Sequence, residues 1–280
     1  MIIFFIVIGV VGYVFSRAYS SPGLLYIAII FSLFMNIFSY WYSDKVVLAM
    51  YKAQPVTAAE APELYHTVEN LSITAGLPMP KVYIIPDPAP NAFATGRNKD
   101  HAAVAVTSGL LQIMNKTELE GVLAHELSHV GNKDILISTI VVVLVGFVSL
   151  ISHWFLRASF FGGMGRRGND REGNSNAIFM VIGLVLAILA PIAVTLIQLA
   201  ISRKREYLAD ASGALLTRYP EGLASALAKI GSYSGQLAHA NNATAHLFIS
   251  NPFGASKISM LFATHPAIAD RIAILRGMKQ

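Results

Sequence analysis

Charge disappears from four long stretches of this chain and returns between them. Residues 1–16, 18–43 and 135–156 contain no Asp, Glu, Lys or Arg, and neither do 173–202, where a few Gly, Asn and Ser residues lead into the apolar run. The last three each supply roughly 20 or more residues suited to a hydrocarbon layer ~30 Å thick, at 1.5 Å rise per helical residue. The first is short, so Ser16 to Tyr19 are expected to extend it, with Arg17 snorkelling and Tyr19 at the interface. It lacks the basic start and small-residue cleavage site of a signal peptide and reads as an uncleaved anchor. His153, one turn before Arg157, reads as an interface residue. The pattern predicts four transmembrane helices.

Between these spans the periodicity changes. A helix is expected near 58–76, then strands at Lys81–Pro86, Asn91–Gly96 and Ala102–Thr107. Pro86-Asp-Pro-Ala-Pro90 separates the first two strands, and Asn98-Lys99-Asp100 supplies the next turn. Thr117 followed by Glu120 reads as a capping box that opens another helix. The domains are therefore 1–43, two N-terminal spans; 44–134 with 203–280, one discontinuous domain of about 170 residues; and 135–202, the other two spans and a Gly/Asn-rich connector at 158–176. The fold class is α+β, mainly helical with a small β-sheet, integrated with four transmembrane helices.

Composition sharpens the setting. Charged residues make up 13% of the chain and apolar residues 54%, against about a quarter charged in ordinary soluble proteins. Lysines and arginines near the span ends number eight on the side of 44–134 (Lys45, Lys52, Lys116, Lys133, Arg203, Lys204, Arg205, Arg218) and five on the other (Arg17, Arg157, Arg166, Arg167, Arg171). That bias places the discontinuous domain and both termini in the cytoplasm. The net charge of +5 is membrane-flank basicity, and no nucleic-acid partner is expected. With no cysteine, disulfides, thiolate-ligated zinc and a cysteine nucleophile are excluded.

The candidate chemistry lies in Thr117–Asn132, TELEGVLAHELSHVGN. His125 and His129 are four apart on one helix face, so both imidazoles can reach one zinc ion, and Glu126 stands beside them as a general base. A metzincin would place a third histidine at position 135, which is Ile135. The best third ligand is Glu206, in Arg203-Lys-Arg-Glu-Tyr-Leu-Ala-Asp210, with Asp210 one turn on to hydrogen-bond a ligand histidine. Glu118, Asp134 and His265 are the alternatives to Glu206.

His125-Glu126-Leu-Ser-His129, Glu206-Tyr-Leu-Ala-Asp210, Asn91-Ala-Phe-Ala-Thr-Gly96 and Thr264-His-Pro266 with Arg271 occur in the order and setting that resemble the HtpX membrane metalloproteases, relatives of the CAAX prenyl protease. Ala267 stands where relatives often carry a second proline. The resemblance implies a zincin-like endopeptidase with one zinc ion per chain, in a bacterial inner membrane, that cleaves misfolded membrane proteins and unfolded polypeptides in quality control. It favours His265 as a donor to the oxyanion, oriented by Arg271. It also matches His246, to which no task is assigned. The Asn91–Gly96 strand is expected to be an exposed edge that accepts a peptide as an added strand, with Asn91, Ala92, Phe93 and Ala94 in contact with substrate. The alternative reading is a non-proteolytic scaffold or chaperone-like adaptor with a structural zinc. A prenyl-peptide protease would need an intramembrane chamber, for which four spans are too few.

Spacing also predicts where the metal lies. His129 precedes Ile135 by six residues, and Glu206 follows Ile201 by five, so continuous helices would hold the ligands within about 10 Å of the hydrocarbon boundary. Gly131-Asn132 is a potential bend. A fixed cleavage sequence about 3–8 residues from a transmembrane helix should then be cut faster in liposomes than one about 40 residues away, because the shorter tether raises local concentration. Equal rates would refute this placement.

Overall fold

Helix-stop and turn residues set most element boundaries in the computed structural model, which describes residues 2–18, 21–142, 144, 203–233, 235–238, 247–250 and 266–278. The chain forms two units, Met1–Trp41 with Val143–Ile197, and Tyr42–Val142 with Gln198–Gln280.

The described part of the first unit holds helix α1 (Ile2–Ala18) and most of α2 (Gly23–Met50), which continues into the second unit. Among the described residues, α2 is the helix long and apolar enough to cross a membrane. It exposes Tyr26, Ile27, Ile30, Phe34 and Ile37 and buries Ser32 and Ser39. That inversion of the soluble pattern suits a lipid surround. Gly12 lets α1 cross α2 closely, since a Cβ there would overlap Ala28. Most of the third span and the whole charge-free run at 173–202, with His153, lie outside the described residues.

The second unit is built on a four-stranded sheet, β1 (Gln54–Pro55), β2 (Lys81–Ile85), β3 (Ala92–Gly96) and β4 (Ala102–Thr107), in the order β1-β2-β4-β3. β2 and β4 run parallel and β3 antiparallel to β4, with Phe93 opposite Ala105 and Ala94 opposite Val104. Alternation splits the sheet's side chains between two cores. Val82, Ala92, Ala94, Val104 and Val106 join Leu64, Val68, Val122, Leu123 and Leu127. Ile85, Phe93, Ala103 and Ala105 join Val47, Tyr51 and Phe248. Burial on both faces explains why β4 reads AAVAVT without a polar alternate.

Helix α3 (Pro62–Ala75) starts later than the expected residue 58, with Pro62 in its first turn, and ends at Gly76, whose φ of 65° is left-handed. After α4 (Ser108–Ile113) comes α5 (Lys116–Gly131), the motif helix. Its cap differs from the expected Thr117–Glu120 pair. Asn115 Oδ1 accepts the Glu118 backbone N–H at 2.9 Å, and Glu118 accepts that of Asn115 at 2.9 Å. Both pairs fit the S/T/N-x-x-E pattern, and the choice follows from what Glu118 also does. It accepts Ser225 Oγ and Lys229 Nζ, each at 2.6 Å, fastening α5 to α7 (Pro220–Ser232). After α5 the chain turns through Asn132 and Lys133, the latter at φ 63°, and is helical again at 134–142. The potential bend is real.

Helix α6 (Arg203–Thr217) crosses α5 closely because a Cβ on Gly213 would sit 3.0 Å from the His125 backbone nitrogen. Gly121 on α5 likewise admits the Gly222–Leu223 backbone of α7. Helix α8 (Ile268–Gly277) closes the bundle against α7.

Burial alone would raise the Glu118 pKa, but the bonds from Lys229, Ser225 and the Asn115 backbone outweigh it and hold the carboxyl below 4.5. A folded-state pKa below the unfolded one stabilises the chain fully above that value and loses the contribution as pH falls through the folded pKa. Glu118→Gln is therefore expected to cost about 1–3 kcal/mol at neutral pH. In denaturation experiments the gap to wild type should close below about pH 4.5.

Candidate metal centre

His125 and His129 project from one face of α5 toward Glu206 in the first turn of α6. One donor atom from each lies within 4.8 Å of the other two. The two Nε2 atoms are 3.2 Å apart, His129 Nε2 is 3.5 Å from Glu206 Oε1, and His125 Nε2 is 3.8 Å from Glu206 Oε2. Ligands about 2.0–2.1 Å from a tetrahedral zinc would stand about 3.3 Å apart, so the set fits the ion. The Nδ1 atoms make the same point. His125 Nδ1 is 2.9 Å from Asp210 Oδ1 and His129 Nδ1 is 3.2 Å from Asp134 Oδ2. With each Nδ1 beside a carboxylate, the two Nε2 atoms and a Glu206 oxygen face one point, an arrangement that suits a cation.

Each histidine thus begins a His–Asp–Arg chain. On the buried side Arg271, 0% exposed, donates to Asp210 through Nε at 2.8 Å and Nη2 at 2.6 Å. Its Nη1 donates to the Ile249 carbonyl at 3.2 Å and stands 3.8 Å from Glu206. On the cleft side Arg205 Nε lies 3.6 Å from Asp134 Oδ1. Burial holds His125 down at about 4 despite Asp210, so their contact joins a neutral imidazole to a carboxylate. Burial would raise Asp210, but His125 and Arg271 hold it at about 2. Burial would lower His129, yet Asp134, Glu206 and Glu126 raise it to about 8, the mark of a field that favours positive charge. Glu126, 2% exposed, is pushed up to about 7 by burial, opposed by His129 and reinforced by Glu206, with the Ala94 backbone N–H also lowering it.

His125, Glu126, His129, Asp134, Arg205 and Glu206 line a cleft with Ala94, Ile135, Leu247, Phe248 and Ile249. Here the expectations for β3 change. It is the last strand of the sheet, yet Ala92, Phe93 and Ala94 are at most 6% exposed. The Ala92 carbonyl accepts Ile249 N–H at 3.0 Å, and Gly96 N–H reaches Thr139 Oγ1 at 3.4 Å. Asn91 faces Ser250, donating to its carbonyl at 3.1 Å and accepting its N–H at 3.3 Å. Phe93 packs tilted against Tyr51 and edge-on against Phe248. Of the four expected substrate contacts, Ala94 lines the cleft. Arg271 is committed to Asp210, and His265 and His246 lie outside the described residues. Asp134, weighed in the sequence as a substitute ligand, is the His129 partner. Its signal was an acidic residue just past the Gly131-Asn132 bend.

The profile of peptidase family M48 matches residues 58–279. The chain is 55% identical over 253 residues to a protease HtpX homolog of Desulfatibacillum aliphaticivorans, covering 90% of this chain and 80% of that one. With the protease HtpX homolog of Campylobacter concisus it shares 47% identity over 284 residues, covering 100% and 93%. Its fold resembles the crystal structure of S. mikatae Ste24p, with TM-score 0.54 and 22% identity over 95% of this chain and 62% of that one.

Chelator competition is expected to show Glu206→Ala losing most metal affinity, and Asp134→Asn losing about 10–100-fold. Asp210→Asn should lose a similar factor and, by leaving the Arg271 charge buried beside a neutral amide, also cost about 3–5 kcal/mol of stability. Full metal affinity in Glu206→Ala would remove it from the ligand set.

Proposed function

The chain belongs to peptidase family M48 and is a metalloprotease, and from this premise we propose a zinc-dependent endopeptidase anchored in a membrane by four spans, its active site on the cytoplasmic face of a bacterial inner membrane. One zinc per chain would be held by His125, His129 and Glu206. The observation that carries the reading is the convergence of those three donor groups beside Glu126, which ligates nothing in the set and faces the same cleft.

Zinc held by His125, His129 and Glu206 would supply Lewis acidity, acidifying a water molecule and polarising a peptide carbonyl. Glu126 accepts the proton of the attacking water and returns it to the amide nitrogen as the C–N bond breaks. Asp210 and Asp134 keep the histidine Nε2 atoms aimed inward, with Arg271 bonded behind Asp210. Leu247, Phe248 and Ile249 wall the cleft against water. In this reading His265 donates to the developing oxyanion.

The substrates we infer are misfolded or damaged membrane proteins and unfolded polypeptides, cleaved in quality control. The apolar cleft wall of Leu247, Phe248 and Ile249 supports that class. The scaffold alternative requires a structural zinc, which four protein ligands normally close. The three-donor set and adjacent Glu126 favour catalysis.

Casein cleavage by the detergent-purified full chain is expected to require zinc and to fall by at least about 10³-fold in Glu126→Ala while metal content stays at one per chain. Retained cleavage in Glu126→Ala would overturn the assignment of the base.

A further inference from the structure

Arg205 has more donors than its partner uses. Its side chain is 29% exposed and its Nε stands 3.6 Å from Asp134, yet Nη1 is buried and makes no hydrogen bond among the described residues. A buried guanidinium N–H left without an acceptor is costly and calls for an explanation. Arg271, the corresponding residue of the other His–Asp–Arg chain, differs. It is fully buried and spends Nε, Nη1 and Nη2 on Asp210 and Ile249. Arg205 instead lines the catalytic cleft with Ala94, Glu126 and His129.

We propose that Arg205 anchors the substrate by donating from Nη1 to a main-chain carbonyl oxygen of the bound peptide. The inference rests on the endopeptidase reading and adds a binding residue to it. Charge selects the acceptor. The cleft presents the carboxylates of Glu126, Asp134 and Glu206 with the Arg205 guanidinium, and a divalent zinc brings that group to neutrality. A second anion from substrate would leave it negative in a buried site, whereas a carbonyl satisfies the N–H at no cost in charge. A main-chain acceptor also suits β3, whose edge is taken up at Ala92 by Ile249 and at Gly96 by Thr139. Little of the strand remains for peptide pairing, so a side-chain donor lining the same cleft as Ala94 supplies the missing bond.

The test uses the zinc-loaded full-length protein in detergent, carrying Glu126→Gln to prevent turnover, and an extended fluorescent peptide with uncharged side chains. Adding Arg205→Gln should raise the peptide Kd about 10–100-fold, the scale of a hydrogen bond to a charged group. Arg205→Lys should recover part of the loss. Zinc affinity by chelator competition should change by less than about threefold, far less than in Asp134→Asn. In the Glu126 background Arg205→Gln should raise KM, with kcat nearly unchanged. An unchanged peptide Kd would overturn the proposal. So would a loss matched by zinc affinity, which would make Arg205 a positioning residue for Asp134, or a loss confined to peptides bearing Asp or Glu, which would make it a reader of acidic side chains. If wild type cleaved no peptide, the endopeptidase reading would fail, while the binding comparison would still decide the role of Arg205.

Discussion

Asp210 holds the centre of this molecule together. Its carboxylate is 1% exposed and shared between the His125 Nδ1 and the two-pronged grip of Arg271. Removing two charges from water is expensive, and a buried pair is retained only where its geometry and further hydrogen bonds are good. Here the geometry does three things at once. It orients His125 so that Nε2 faces the metal position. It locks α8, near the C-terminus, onto α6. Through Arg271 Nη1 and the Ile249 carbonyl it also holds the segment that walls the cleft and bonds β3. Metal site, helix bundle and substrate-side wall therefore stand or fall with one ion pair.

The cleft-side chain, His129–Asp134–Arg205, follows the same design with looser contacts: 3.2 and 3.6 Å in place of 2.9 and 2.6 Å. The difference suits their positions. A fully buried pair must satisfy its charges internally, whereas a cleft-facing one can leave donors for what enters.

The pairs at the candidate metal centre were legible in the sequence because four-residue spacing within a helix fixes shared faces whatever the rest of the chain does: His125 with His129, and Glu206 with its neighbour Asp210. β2, β3 and β4 were legible too, within a residue at their ends, whereas the two-residue β1 carries no alternation to announce it. Other features depend on partners remote in sequence. Asn115 rather than Thr117 caps α5 because Glu118 must also meet Ser225 and Lys229, more than a hundred residues on. Asn91 serves Ser250 across 159 residues, and Arg271 serves Asp210 across 61. β3 is an edge by strand order, but its cover comes from Ile249 and Thr139, which no local pattern of alternation could announce. Asp134 lay closer to hand. Once the Gly131-Asn132 bend turns the chain back, an acidic side chain five residues past His129 is well placed to meet its Nδ1.

The central claim is an open metal site of two imidazoles and one carboxylate, and X-ray absorption spectroscopy of the zinc-loaded full-length protein tests it most directly. The account predicts four nitrogen or oxygen neighbours at about 2.0–2.1 Å, outer-shell scattering from two imidazoles, and one neighbour displaced by a small competing ligand. Loss of a carboxylate neighbour in Glu206→Ala should accompany the loss of affinity. A spectrum with three or more imidazoles, or with four protein ligands that no small molecule displaces, would contradict it.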